Sequence, residues 1–158
     1  MSTEQVDTVV IGGGQAGLAM SEHLTAAGIK HLVLEKNRIA ERWRTARWDS
    51  LVANGPAWHD RFPTKNFSCS VPDDFPTKDG VVKYFEEFAD QIKAPIRCGV
   101  EVKAALKTTD GSGYKIVTSE GEIEARNIVA ATGPFQILLS RQWFQRLQVS
   151  NKFIRPAI

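Results

Sequence analysis

Gly12, Gly14, Gly17 and Glu35 have the types and the spacing to hold a nucleotide. The glycines make a G-x-G-x-x-G pattern. The first allows a tight turn, the second leaves backbone bare where a pyrophosphate would lie, and the third lets a helix pack close to a sheet. Glu35 follows Gly17 by 18 residues, the separation at which a carboxylate reaches both hydroxyls of a ribose. Its charge repels a 2′-phosphate, so the first nucleotide is expected to be FAD or NAD rather than NADP. The chemistry on offer is binding: phosphates against backbone N–H groups, and a sugar against an acid.

These residues meet only if a strand, a turn, a helix and a second strand bring them together. The β-branched run Asp7 to Ile11 predicts a buried parallel strand. From Gln15 to about Ala27, the residues Ala16, Ala19, Met20, Leu24 and Ala27 fall at helical spacing, and Gly28 is placed to end that helix. Its N-terminus directs N–H groups and the positive end of its dipole at the phosphates. His31 to Leu34 predicts the second strand, with Glu35 at its carboxyl end.

Beyond Glu35 the chain enters an irregular region, Asn37 to Pro76, holding Trp43, Trp48, Trp58, Phe62, Phe67 and Phe75. So long a segment without regular structure is functional more often than connective. Its aromatic residues either line a substrate channel or fill core beneath the loop. Thr77 is a candidate N-cap for a helix whose stripe is Val81, Val82, Phe85, Phe88, Ala89 and Ile92, ended by Ala94-Pro95. Strands are then expected over Val100–Lys107 and Tyr114–Thr118, around the hairpin turn Asp110-Gly111-Ser112-Gly113. Gly121 marks a turn before a strand Glu122–Ala125. A separate, buried-looking strand Asn127–Ala131 leads into Thr132-Gly133-Pro134.

With 158 residues the chain has room for one domain with a sizeable core. The net charge of +2 is spread thinly, which excludes the basic patch of a nucleic-acid or anionic-membrane binder. Arg38, Arg42, Arg44 and Arg47 form the densest cluster, interrupted by Glu41, and suit a pyrophosphate. Cys69 and Cys98 are too far apart for a CxxC redox pair or a metal knuckle. His23, His31 and His59 lack metal or triad spacing, so structural roles are expected. No leader segment and no bilayer-length apolar run are seen, and a cytoplasmic, reduced location is expected.

The motif GGGQAG with Glu35, the segment ERWRTARWDSL, the helix and β-meander, and the closing NIVAATG together resemble the flavin-dependent monooxygenases. These are the flavin-containing and Baeyer–Villiger monooxygenase group of FAD/NAD(P)-binding oxidoreductases. The resemblance covers Thr3 to about Gln136. It implies an α/β fold: a Rossmann-like parallel sheet carrying the GxGxxG FAD-binding unit, plus an antiparallel β-meander. It also implies that Gly12, Gly14, Gln15, Ala16 and Gly17 face the FAD pyrophosphate, that Glu35 holds the adenosine ribose, and that Lys36 lies beside it. Arg42 and Trp43 match an element lying along the cofactor, and Val102 a backbone contact to adenine. Thr132 and Gly133 match the A-T-G element where the chain leaves for an NADPH domain, and Asn54 a polar position near the flavin ring. The chain departs from many relatives at Glu41-Arg42, where they carry a glycine pair before the tryptophan. In such enzymes NADPH reduces FAD, and one oxygen atom of O₂ passes to a nitrogen, sulfur or carbonyl centre of a small-molecule substrate.

A second glycine fingerprint for NADPH does not follow Gly133. The expected organisation is therefore a partial FAD-binding domain over residues 1–136 of a truncated two-dinucleotide-domain fold, inactive alone, and a divergent tail over 137–158. With one choice among synonymous codons, back-translating the tail with one extra cytosine after the Ile137 codon gives IPVVPAVVSEAAGIEQIHSSRY, which is similar to the family's continuation. A frameshift near Gln136 is one account of this. A terminal helix with Trp143, Phe144 and Leu147 as its stripe is the other. Two further readings stand beside the monooxygenase: a disulfide-reductase-like flavoprotein, and a non-catalytic nucleotide-binding module completed by a partner chain.

Overall fold

The computed structural model describes residues 3–67 and 73–133. Cys69 and the tail from Pro134 onward, with its two accounts, lie outside the described residues. Strand β1 spans Glu4–Ile11, helix α1 Gln15–Ala26 and strand β2 His31–Glu35. A short helix α2 covers Glu41–Thr45, and α3 covers Lys78–Gln91. Strands β3 (Ile96–Cys98), β4 (Val102–Lys107), β5 (Tyr114–Thr118) and β6 (Glu122–Ala130) follow. They form one mixed sheet in the order β3-β2-β1-β6-β5-β4. The pairs β2–β3, β1–β2 and β1–β6 are parallel, while β5–β6 and β4–β5 are antiparallel.

The alternation of side chains across β1 and β2 explains the layers. Val9, Ile11, Leu32 and Leu34 point to one face and cluster with Ala105, Ile116, Ile123 and Ala125 of the meander. Val10 and Val33 point to the other face and are fully buried. Burial on both faces suits these near-continuous apolar strands to the middle of a parallel sheet. A second cluster joins Leu18 of α1, the inner face of α3, and Ala40, Ala53 and Phe62 of the long loop.

Helix α3 is capped as expected: the Thr77 hydroxyl accepts from the Gly80 N–H at 3.2 Å. Tyr84, outside the expected stripe, is buried as well, because its hydroxyl has partners. It accepts from the Phe62 N–H at 2.7 Å and donates to the Lys65 carbonyl. Phe62 lies flat on Phe88, with ring centroids 3.8 Å apart. Part of the aromatic loop is thus core, whereas Trp48, Trp58 and Phe75 are exposed.

Three expectations need correcting. The two strands placed at Glu122–Ala125 and Asn127–Ala131 are one, β6, because β1 pairs along its whole length from Glu4↔Ile123 to Ile11↔Ala130. Its second half is not buried: Asn127 and Ala130 are exposed, and Ile128 and Val129 half-buried. Pairing with β5 stops at Ala125, so among the described residues Arg126 to Ala130 bond only to β1. Strand β3 was not expected at all. It forms where the chain leaves α3 and meets the edge of β2, with the Val33 N–H donating to the Pro95 carbonyl at 2.8 Å.

Candidate nucleotide site

At the carboxyl ends of β1 and β2 the glycine turn and the acid stand side by side. Gly12 has φ +113°, and a Cβ there would sit 2.4 Å from the Ala131 carbonyl oxygen, inside any allowed contact. A Cβ on Gly17 would lie 1.9 Å from the Gly12 oxygen, so helix and turn touch backbone to backbone. A Cβ on Gly14 would meet nothing within 4 Å. That open side belongs to the N-cap of α1, which carries no capping side chain, so the N–H groups of the first turn face outward at exposed Gln15 and Ala16.

Glu35 reaches this turn. Its Oε2 accepts from the Gly13 N–H at 2.7 Å and its Oε1 from the Asn37 N–H at 2.9 Å. The carboxylate is therefore fixed at the rim of the sheet and half-buried. Gly13, outside the glycine pattern, is the residue that the sequence reading passed over. The run of three glycines was its signal.

The neighbouring segment packs beside Glu35. The Val100 N–H donates to the Glu35 carbonyl at 3.0 Å, and Lys36 Nζ pairs with Glu101 at 2.8 Å. The Lys36 charge holds the Glu101 carboxyl below its usual range. Val102 follows directly at the start of β4. Thr132 sits at the glycine turn, its Cα 3.4 Å from where a Gly12 Cβ would be, and Gly133 follows with φ +84°.

Arg42 and Trp43 come in through α2, whose N-cap, Ala40, donates its N–H to the Gly13 carbonyl at 3.4 Å. Trp43 is half-buried under the Arg47 guanidinium, 5.4 Å from the ring centre, and Arg42 is exposed. The residue held in the left-handed region here is Ala40, at φ +58°. Backbone freedom before Trp43 is thus needed at position 40, one residue before the Glu41-Arg42 departure. Asn54 is exposed, and among the described residues no hydrogen bond ties it to the turn.

Other candidates resolve into structure. His31 donates from Nδ1 to the Ile29 carbonyl at 3.0 Å, so its Nε2 accepts from the buried Ser21 hydroxyl at 2.8 Å. Cys98 is exposed, and the partial desolvation of its thiol, with a smaller push from the Glu35 charge, raises its pKa, the reverse of an activated nucleophile. No group of metal-binding side chains occurs among the described residues. No described helix is long and apolar enough to cross a membrane. A cavity of about 670 Å³ lies at the opposite end of β1 and β2, beside Asp7, His31 and Arg126. There Asp7 is paired with Arg126, and His31 is bonded to the Ile29 carbonyl.

This arrangement has parallels among known proteins. The chain is 39% identical over 132 residues to an uncharacterized CzcO-like oxidoreductase of Geobacillus kaustophilus, covering 83% of this chain and 37% of that protein. It is 32% identical over 127 residues to the indole-3-pyruvate monooxygenase YUCCA1 of Oryza sativa subsp. japonica, covering 79% and 31%. It thus spans less than two fifths of these relatives. The flavin-containing monooxygenase of Stenotrophomonas maltophilia superposes with a TM-score of 0.72 at 26% identity, over 83% of this chain and 39% of that one. The bacillithiol disulfide reductase of Staphylococcus aureus shares the fold, with a TM-score of 0.75 at 20% identity over 83% and 39%. The family model described as pyridine nucleotide-disulphide oxidoreductase matches residues 9–139, and the chain belongs to that family of flavin-dependent oxidoreductases.

Proposed function

We propose that this chain is the FAD-binding part of an NAD(P)H-dependent flavoprotein oxidoreductase of the monooxygenase kind. The observation that carries the reading is the Glu35 carboxylate locked 2.7 Å from the Gly13 N–H, at the mouth of the glycine turn. The residues fit the adenosine diphosphate half of FAD. Position 14 offers open space where phosphate needs it, and each Glu35 oxygen, holding one N–H, retains capacity for a hydroxyl. Gly12, Gly14, Gln15, Ala16 and Gly17 would hold the pyrophosphate, Glu35 the ribose, and Lys36 and the Val102 backbone the adenine end. Arg42 and Trp43 would flank the cofactor, with Thr132 and Gly133 beside the turn and Asn54 toward the flavin ring.

When bound, the flavin supplies electron transfer from NADPH to dioxygen and thence an oxygen atom for a small-molecule substrate. This chain's own residues bind and orient; the nicotinamide half of the chemistry needs a second nucleotide site. That site would come from the rest of a longer protein or from a complementary chain, and the chain alone is then inactive. The indole-3-pyruvate monooxygenases at about a third identity favour the oxygenase, and Cys69 and Cys98 do not make a CxxC pair. The described family and the reductase fold support a disulfide-reductase alternative. The boundary near Gln136, with a frameshifted tail over 137–158, is tested by reading the gene in the neighbouring frame.

The direct experiment adds FAD to the purified chain, follows the spectrum, and then washes. Weak association, reversed by washing, is expected. A stoichiometric yellow cofactor surviving purification would contradict the partial-site reading, and no interaction at millimolar FAD would contradict the nucleotide site itself.

A further inference from the structure

We propose that Gly13 is a positioning residue that locks Glu35 into a fixed pair of acceptors for a vicinal diol, so that the phosphate turn and the sugar acid are set by one shared hydrogen bond. The inference rests on the nucleotide reading above and adds to it the residue that orients the acid.

Gly13 is glycine for room. It is not among the glycines with positive φ, so its backbone would admit alanine. A Cβ there, however, would lie 3.0 Å from Glu35 Cβ, 3.2 Å from Glu35 Cγ and 2.9 Å from Ile96 Cδ1. The side chain of Glu35 therefore crosses directly over Gly13, and Ile96 of β3 walls the same face. An added methyl turns the flexible end of Ile96 aside and makes Glu35 give by a few tenths of an ångström at Cβ and Cγ, the root from which its carboxylate is aimed.

The hydrogen bonds show what the close approach achieves. Gly13 N–H and Asn37 N–H each take one oxygen of the same carboxylate, at 2.7 and 2.9 Å. A carboxylate has about four acceptor sites, so one remains on each oxygen, side by side. Two adjacent hydroxyls match that pair, while a single hydroxyl uses half of it. The Gly13 carbonyl also accepts from Ala40 N–H at 3.4 Å, so the peptide that sets the acid is held from its far side by the entry to α2.

The test compares ADP with 2′-deoxy-ADP on the full chain by titration followed by NMR. The native chain is expected to prefer ADP by about tenfold, the value of a hydrogen bond to a charged acceptor. Gly13→Ala should reduce that preference to about twofold or less while 2′-deoxy-ADP binding persists. Glu35→Gln keeps the side chain's shape, removes one acceptor and should do the same. The double variant should show no further loss, because both changes act on one contact. A general loss of stability moves both ligands together and leaves their ratio alone. Retention of the full preference in Glu35→Gln, or in a folded Gly13→Ala, would overturn the proposal. So would a native chain that binds both ligands equally, which leaves the nucleotide site standing. A native chain that binds neither would overturn the nucleotide reading and this inference with it.

Discussion

Alanine placed at Gly14 and at Gly17 should have opposite consequences, although both belong to one motif. At position 14 the backbone has φ −92° and ψ −166°, which alanine adopts freely, and the new Cβ meets nothing within 4 Å. Losing glycine at an N-cap costs up to about 1 kcal/mol, and the stiffer unfolded chain returns roughly 0.4–1 kcal/mol. Stability should hardly move. Yet the methyl fills the side left open for phosphate, so affinity for ADP or FAD should fall by about tenfold or more.

At position 17 the Cβ would stand 1.9 Å from the Gly12 oxygen, and backbone has no rotamer by which to step aside. Relief requires α1 and the turn to part by about 1 Å. Overpacking of this kind costs about 1–3 kcal/mol. With no flexible atom to yield, the upper end applies. The gain in helix propensity returns about 1 kcal/mol, leaving a net loss of about 2 kcal/mol. For a chain of this size that lowers the melting temperature by roughly 4–8 °C. Melting followed by far-UV circular dichroism, alongside ADP titration, separates the two variants. If Gly17→Ala melts with the native chain, or Gly14→Ala binds ADP as tightly as native, the assignment of crowding and open space around the turn is wrong.

Phe62→Ala should cost about 3–5 kcal/mol by chemical denaturation, since Phe62 is 2% exposed and stacked on Phe88. A loss under about 1 kcal/mol would show that the long loop is not anchored through it. Ala40→Gly should change stability by less than about 1 kcal/mol, because relief of left-handed alanine, about 1–2 kcal/mol, is offset by glycine's extra freedom and by loss of a buried methyl. A loss well above about 1 kcal/mol would count against the strain at φ +58°. Acid should destabilise the fold in a defined window. Pairing with Arg97, Arg38, Lys78 and Lys36 lowers Glu4, Glu41, Asp49 and Glu101, and hydrogen bonds from Thr108 and Ser112 bring Asp110 to about 2. Folded values below the unfolded ones mean a contribution present above about pH 4 and lost as the pH falls toward about 2. These groups lie at the surface, so raised salt should flatten the slope; a melting temperature constant from pH 5 to 2 would refute it.

What could be read from the residues follows how locally each feature is encoded. The turn, α1, β2 and the placing of Glu35 lie within one short stretch, where strand runs, helical spacing and glycines each fix a neighbour. Strand β3 carries no such pattern: Arg97 and Cys98 are exposed, and Ile96–Cys98 is a strand only because β2 offers an edge. In β6 the charged Arg126 reads as a break between the expected strands Glu122–Ala125 and Asn127–Ala131. Its continuity comes from β1, more than a hundred residues earlier in the chain. The same long-range pairing delivers Ala131 and Thr132 to the glycine turn, which is why the A-T-G element could be assigned only through resemblance. Gly13 shows the converse. The G-x-G-x-x-G pattern treats its position as free, because that pattern records backbone crowding within the turn and the approach of phosphate, whereas the demand at 13 comes from the side chains of Glu35 and Ile96 crossing over it. A motif written from the turn's own backbone and its ligand cannot express a constraint that side chains from β2 and β3 impose on it.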